Sequence, residues 1–290
     1  MIPVVYIHQG NQPYLRTALE QAKRWNPEVV LLGIGNKGMW SPWYPWISKR
    51  MIGFQAVYQH MNTNPEPFEL ACFYRWFALH DWMTEQGVDR VFYCDTDVML
   101  YCSVTEWAES VGNPDVSFQV PQHQPAYRWS ASGHVSLWTA GALGAFCDFI
   151  MWLYTEDIGH LQQKWAWHQE TRTPGGVCDM TLLWRWAIGD LLARRLALVN
   201  NAQVINGATF DHNINVAENY ELDEYAMWPE GTKKSSFKES WADNRPALLK
   251  LDEASRESGN LIHGSGEIVF ANALHFQGQN AKALMEGYKT

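Results

Sequence analysis

No apolar run in the 290-residue sequence approaches the roughly 18 residues that a membrane-crossing helix needs, so no such helix is expected. The opening MIPVVYIHQG lacks a basic flank and a long apolar stretch, and it does not read as a secretory leader. Cys-x-x-Cys pairs are absent too. The five cysteines (Cys72, Cys94, Cys102, Cys147 and Cys178) are odd in number. A disulfide framework or a thiolate zinc site is therefore not expected, and a reducing, cytoplasmic setting is. Positive charge is scarce: Lys and Arg total 22 against 31 Asp and Glu, a formal net charge of -9. Basic residues come in pairs (Lys49-Arg50, Arg194-Arg195, Lys233-Lys234) and not in runs. Such a chain repels a phosphate backbone, which argues against nucleic acid as a partner. A nucleotide diphosphate stays compatible where a divalent cation neutralises it. Internal repeats and low-complexity tracts are also missing, which excludes solenoids and linkers.

Tryptophan, by contrast, is abundant, with 16 residues. Most are expected to fill core volume, and an exposed one is suited to stack on a sugar face. Hydrophobic residues make up 47% of the chain, enough for one large core. Pro3 to His8 reads as a buried strand. Asn11 reads as a helix cap before Pro13, with Tyr14, Leu15, Ala18, Leu19, Ala22 and Trp25 at helical spacing. Val29 to Leu32 reads as the next strand. This strand, helix, strand opening predicts a parallel sheet. Residues 34 to 48 read as a long loop, and 67 to 86 as a helix ended by Gly87. Strands are expected at Val91 to Cys94 and Val116 to Val120. Helices are expected at Thr139 to Leu153 and at Asp179 to Ala197, with a polar loop between them. The tract 218 to 260 reads as an irregular excursion, followed from Ile268 by a short strand.

Asp95-Thr96-Asp97 stands just beyond the apolar VFYC. Ligands of open α/β sheets bind outside the carboxyl ends of the strands, so both carboxylates are expected to face a crevice. Hard oxygen ligands of this kind suit Mn2+ or Mg2+, and such an ion bridges phosphates.

The segment ELACFYRWFALHDWMTEQGVDRVFYCDTDVML resembles the donor-site segment of GT-A glycosyltransferases, nearest the group of glycogenin and the lipopolysaccharide galactosyltransferases. The resemblance implies a single Rossmann-like α/β/α domain with a mostly parallel central sheet. Residues 1–121 would form its nucleotide-sugar half and 122–290 its acceptor half. It implies Asp95 and Asp97 as metal ligands, with Asp95 and Thr96 beside the donor and Arg75 on the preceding helix. His275-Phe276-Gln277-Gly278 with Lys282 resembles the group's terminal His-x-x-Gly-x-x-Lys, with one extra residue before the lysine. His275 would complete the metal site, while Gly278 and Lys282 would hold the diphosphate. Nucleobase contacts are implied at Ile7, His8, Gln9, Asn11 and Tyr14, although the chain lacks the Asp that the group carries there. Uracil is the base implied.

Asp179 is the candidate catalytic carboxylate. It would act as a base in an inverting reaction, or steady an oxocarbenium-like centre in a retaining one; the terminal HFQG leans towards retention. As a plain alternative it caps a helix. His134, Gly175 and Gly176 are expected near the transferred sugar or a hydroxyl-bearing acceptor. The Trp-rich loop at 40 to 46, and Trp165, Trp167 and His168, are candidates for a lid or acceptor groove. Two rival readings stand beside this one. A haloacid-dehalogenase-type phosphatase would use Asp95 as nucleophile and Asp97 as acid/base. Against it, Met99 stands where that family usually has Thr or Val, and the later acidic pair it needs after another strand is not found, since Asp223-Glu224 and Asp252-Glu253 lie in irregular polar sequence. A non-catalytic sugar-binding protein would need only the aromatics.

Overall fold

The computed structural model describes residues 1–34, 48–121, 124, 127–189, 195–214, 219–220, 237–251 and 264–290. A six-stranded central sheet organises them, in the order β2-β1-β3-β6-β5-β7. Its strands are β1 (Val4–Gln9), β2 (Val29–Ile34), β3 (Arg90–Cys94), β5 (Val116–Gln119), β6 (Ser132–Thr139) and β7 (Leu198–Asn200). β1 lies parallel to both β2 and β3, and β5 is parallel to β7. Only β6 runs against its neighbours, pairing Arg90 with Thr139 and Cys94 with Val135. The chain is thus an α/β protein with a mostly parallel central sheet.

Side chains on each strand alternate between two cores. Val5, Ile7, Val91 and Tyr93 pack on one face with helices α2 (Lys49–Val57), α3 (Glu66–Gln86), α5 (Ala140–Thr155), α6 (Ile158–Thr171) and α7 (Asp179–Ile188). Val4, Tyr6, Phe92 and Cys94 pack on the other. There α1 (Pro13–Trp25) and α4 (Val104–Ser110) share the layer with a second sheet, ordered β8-β11-β10-β9. That sheet comprises β8 (Ala208–Thr209), β9 (Phe237–Ala242), β10 (Arg245–Leu251) and β11 (Gly264–Ala271). Burying a Val or Phe on such a strand contributes about 1.5–3 kcal/mol, so a two-faced strand gains on both sides.

Several local expectations need correcting. Gln12, not Asn11, precedes the first helical turn, which opens with Pro13. The 179–197 helix ends at Ile188, and Arg195 adopts a left-handed φ of 57° before β7. The stretch from Ser132, for which no element is expected above, forms the buried strand β6, whose polar atoms satisfy one another. Ser132 Oγ meets His134 Nδ1 at 2.6 Å, and Trp138 Nε1 donates to Ser136 Oγ at 2.8 Å. The loop read between 153 and 179 contains α6, so Trp165, Trp167 and His168 are helical. Within the 218–260 tract, β9 and β10 form an antiparallel hairpin. The Trp-rich loop at 40–46, Asp223-Glu224 and Asp252-Glu253 lie outside the described residues.

Candidate functional site

A cleft of about 930 Å³ opens at the carboxyl end of β3. Arg75, Asp95, Asp97, His134, Gly175, Gly176, Asp179, His275, Gly278 and Lys282 all line it. Ile7, His8, Gln9, Asn11, Tyr14 and Thr96 are not among its lining residues and sit beside it, around the end of β1. His8 Nδ1 meets the Thr96 hydroxyl at 2.9 Å, tying that end to the acidic tripeptide. Burial lowers the pKa of His8, which keeps the ring neutral. Tyr14 lies under the Lys282 ammonium, 5.2 Å from ring centre to Nζ.

Residues distant in the chain are brought to Asp97 by a short ladder. β4 (Val98–Leu100) pairs antiparallel with β12 (Ala273–His275), placing His275 opposite Val98. The Phe276 amide then donates to the Asp97 carbonyl at 2.8 Å. Gly278 has a φ of 86°, which swings the chain into the short helix α8 (Gln279–Lys282), and the Lys282 amide donates to its carbonyl at 3.2 Å. As a result, His275 Nε2 stands 3.6 Å and Lys282 Nζ 3.1 Å from the Asp97 carboxylate.

Electrostatics follow from that geometry. Burial works to raise the Asp97 pKa, but His275, when its Nε2 holds a proton, and the Lys282 ammonium outweigh it and hold the carboxyl well below the usual range. Lys282 is raised in turn: burial opposes its charge and Asp97 favours it. His275 Nδ1 lies 2.7 Å from Asn213 Oδ1, an oxygen that can only accept, so Nδ1 carries the proton. The Nε2 lone pair then faces a carboxylate. Two electron-rich groups so placed are reconciled by a proton or a cation between them. His134 stacks on His275 at 4.2 Å between ring centres, and burial pushes its pKa well down, so it adds no charge.

Asp95 looks the other way. Its Oδ1 accepts from Arg75 Nη1 at 2.7 Å and from the Tyr93 hydroxyl. Arg75 also donates through Nε, at 3.1 Å, and Nη2 to Asp179 Oδ2, which accepts from Trp76 Nε1 at 2.9 Å as well. Burial alone would lower the Arg75 pKa, yet Asp179 and Asp95 hold it well above its ordinary value. Asp179 does not cap α7, since Cys178 precedes the helix. Its side chain is 3% exposed and engaged on both oxygens, with Oδ1 accepting from the Met180 amide at 2.9 Å. In this state it anchors Arg75 and is not free to act as a base.

Gly176 is required for close packing: a Cβ there would stand 2.2 Å from the Met61 carbonyl oxygen. Sequence reasoning passed over Tyr93, Asn213 and Glu69. Glu69 sat inside the quoted donor-site segment, but only its burial marks it. Burial, reinforced by Asp179 and opposed by Asn64 and Arg75, pushes its carboxyl up to about 7. Among the described residues no three His, Cys, Asp or Glu side chains converge as a complete metal cage.

Comparison with known proteins adds the following. Several solved structures similar to this chain are glycosyltransferases. A mutant of LgtC, named a galactosyltransferase in another structure, shares 11% identity over 100% of this chain and 96% of its own, with a TM-score of 0.47. Mouse xyloside xylosyltransferase 1 shares 11% identity over 65% of this chain and 82% of its own, at a TM-score of 0.46. A glycosyltransferase involved in glycosylating the major capsid of the virus PBCV-1 shares 10% over 98% and 99%, at 0.40. No family model and no curated protein matches the sequence. Likenesses this distant concern the course of the chain, and the chemistry rests on the site's own residues.

Proposed function

We propose that the chain is a metal-dependent glycosyltransferase that moves a sugar from a nucleotide diphosphate sugar to a hydroxyl-bearing acceptor. The observation that carries this reading is the convergence of His275 and Lys282, from the far end of the sequence, on the Asp97 carboxylate. The carboxylate and imidazole lone pairs that face each other are a fitting donor pair for Mn2+ or Mg2+. Asn213 holds the His275 ring in the tautomer that a ligand requires. Such an ion, completed by phosphate oxygens, would neutralise the diphosphate as it departs.

The chain's own residues supply the remainder. Lys282 already balances Asp97 and is placed to turn its ammonium to a leaving phosphate. Gly278, with nothing within 4 Å of where a Cβ would stand, leaves the backbone open to close approach. Asp95 keeps a side chain 26% exposed to the cleft while Arg75 and Tyr93 fix its orientation. Asp179 serves by holding Arg75, and the donor base is uracil by the resemblance alone. We place the nucleotide at the His8–Tyr14 side and the acceptor at the α6 side.

Thermal unfolding with UDP, GDP and ADP, each with and without Mn2+, tests this reading. A ligand present at about 100 times its Kd adds about 2.7 kcal/mol to a folded state that alone binds it. The expected result is a rise in melting temperature that needs both Mn2+ and UDP. No response to any pair, together with hydrolysis of p-nitrophenyl phosphate, would replace this reading with the phosphatase.

A further inference from the structure

Behind His275, a line of polar groups runs away from the cleft towards the second sheet. His275 Nδ1 donates to Asn213 Oδ1 at 2.7 Å. The backbone amide of Asn213 donates to Asn219 Oδ1 at 2.8 Å. Asn219 Nδ2 in turn faces His212 Nδ1 at 3.4 Å. An amide nitrogen only donates, so His212 Nδ1 accepts and its ring proton sits on Nε2. Nε2 then donates to Glu239 Oε2 at 3.2 Å. The Tyr288 hydroxyl donates to the other carboxylate oxygen at 3.3 Å, so both oxygens are held. Every donor in the series points towards Glu239, and a carboxylate can end such a series because it only accepts. Asn213, Asn219 and His212 are 7%, 1% and 3% exposed, and neither they nor Glu239 line the cleft.

The His275 ring needs a support of this kind. It stacks on His134 at 4.2 Å between ring centres. Stacking fixes the plane of the ring and not its direction. A half-turn keeps the stack and puts a carbon where Nε2 faces Asp97, and the bond to Asn213 tells the two arrangements apart. The same segment also grips the backbone. The His275 amide donates to the His212 carbonyl at 3.0 Å, and the Ile214 amide donates to the His275 carbonyl at 2.8 Å. Residues 212–214 thus clamp His275, and the His212 side chain ties that clamp to Glu239 of β9, in a different sheet from β12. A buried network whose groups all find partners holds one geometry.

We infer that Glu239 is a positioning residue for the metal site: through His212, Asn219 and Asn213 it holds His275 with Nδ1 protonated and Nε2 turned to Asp97. The inference deepens the transferase reading above, which supplies the metal. Two readouts test it. Histidine ring 15N NMR at about pH 8, above the ordinary histidine range, reports which nitrogen of His275 carries the proton, with His275→Gln assigning the signal. Titration of Mn2+ in the presence of UDP, followed by electron paramagnetic resonance, reports the affinity. Glu239→Ala removes the end of the series, at a side chain 34% exposed. His212→Phe keeps the ring volume and removes both ring bonds. Glu239→Gln is the rescue: its amide oxygen accepts from His212 and its NH2 donates to the Tyr288 oxygen. The wild type is expected to show the Nδ1-protonated form. Glu239→Ala and His212→Phe should lose part of it and bind Mn2+ about tenfold more weakly, the usual effect of removing a group that orients a metal ligand. Glu239→Gln should match the wild type. Circular dichroism confirms folding, and Glu239→Ala carries the test alone should His212→Phe unfold. A wild type without the Nδ1-protonated form, or an unchanged tautomer in the folded variants, overturns the inference. So does an Mn2+ affinity equal to that of a wild type that binds it, or a Glu239→Gln as damaging as Glu239→Ala. A tautomer that shifts in the variants, with Mn2+ bound by none of the proteins, keeps the positioning role and removes the metal-dependent reading.

Discussion

Asp95 and Asp97 are separated by one residue and meet opposite surroundings. Asp95 belongs to a closed network in which Arg75, Tyr93, Trp76 and Asp179 satisfy one another. Asp97 belongs to an open cluster, with a histidine lone pair and an ammonium facing it across the cleft. A closed network holds a geometry and has little left to offer a ligand. An open cluster is poorly satisfied without one. Mutation separates these two kinds of acidic group, because breaking the first should cost stability and breaking the second should cost binding.

The largest effect is expected at Asp179. Replacing it with Ala leaves Arg75 largely buried and shared by Asp95 alone. Breaking one partner of a buried pair costs about 3–5 kcal/mol, and the surviving Asp95 contact places Asp179→Ala near the lower end. Urea unfolding of wild type and variant measures this directly. An unchanged midpoint would return Asp179 to the role of a free catalytic carboxylate. Asp97→Asn comes next and should act on function. The UDP- and Mn2+-dependent rise in melting temperature is expected to vanish, with transferase activity down about 10²–10³-fold. Stability without ligand should also fall, but by less than in Asp179→Ala, since Asn keeps the side chain's shape and an oxygen that accepts from Lys282. A retained nucleotide response in Asp97→Asn would dissolve the contrast between the two aspartates.

Legibility in the sequence follows the same line. The β1–α1–β2 unit and β3 with its tripeptide were readable because apolar residues there recur with a clean period and end at Pro, Gly or Asp. β6 was not readable, because SGHVSLWT begins with polar residues that become buried by pairing among themselves. α6 was missed for a related reason: it buries Lys164 and His168 and leaves Trp165 and Trp167 half-buried, so no apolar stripe marks its inner face. The overlong 179–197 helix came from an apolar composition that continues past Ile188, where the backbone turns. Within the site, the resemblance supplied Asp97, His275 and Lys282. Asp179 was read as a cap, a base or a stabiliser of an oxocarbenium-like centre because its partner Arg75 lies 104 residues away, a contact that no local pattern announces.

Glu69 belongs to neither class and sharpens the comparison by its pH dependence. It is buried like Asp179 and yet keeps one oxygen, Oε2, without a hydrogen-bond partner. Burial raises its carboxyl from 4.5 to about 7, with Asp179 adding and Asn64 and Arg75 opposing. A carboxyl whose folded pKa lies above its unfolded value favours folding when protonated. Its contribution is complete below pH 4.5 and is lost as the pH rises through about 7. Glu69→Gln cannot ionise and keeps the bond to Asn64, so its stability should lack that decline. Below pH 4.5 the two proteins should unfold at similar urea concentrations, and above pH 7 the variant should be the more stable. A wild-type profile that runs parallel to the variant's through this window would mean that Glu69 is ionised in an already satisfied setting. It would then join Asp95 and Asp179 as part of the closed network.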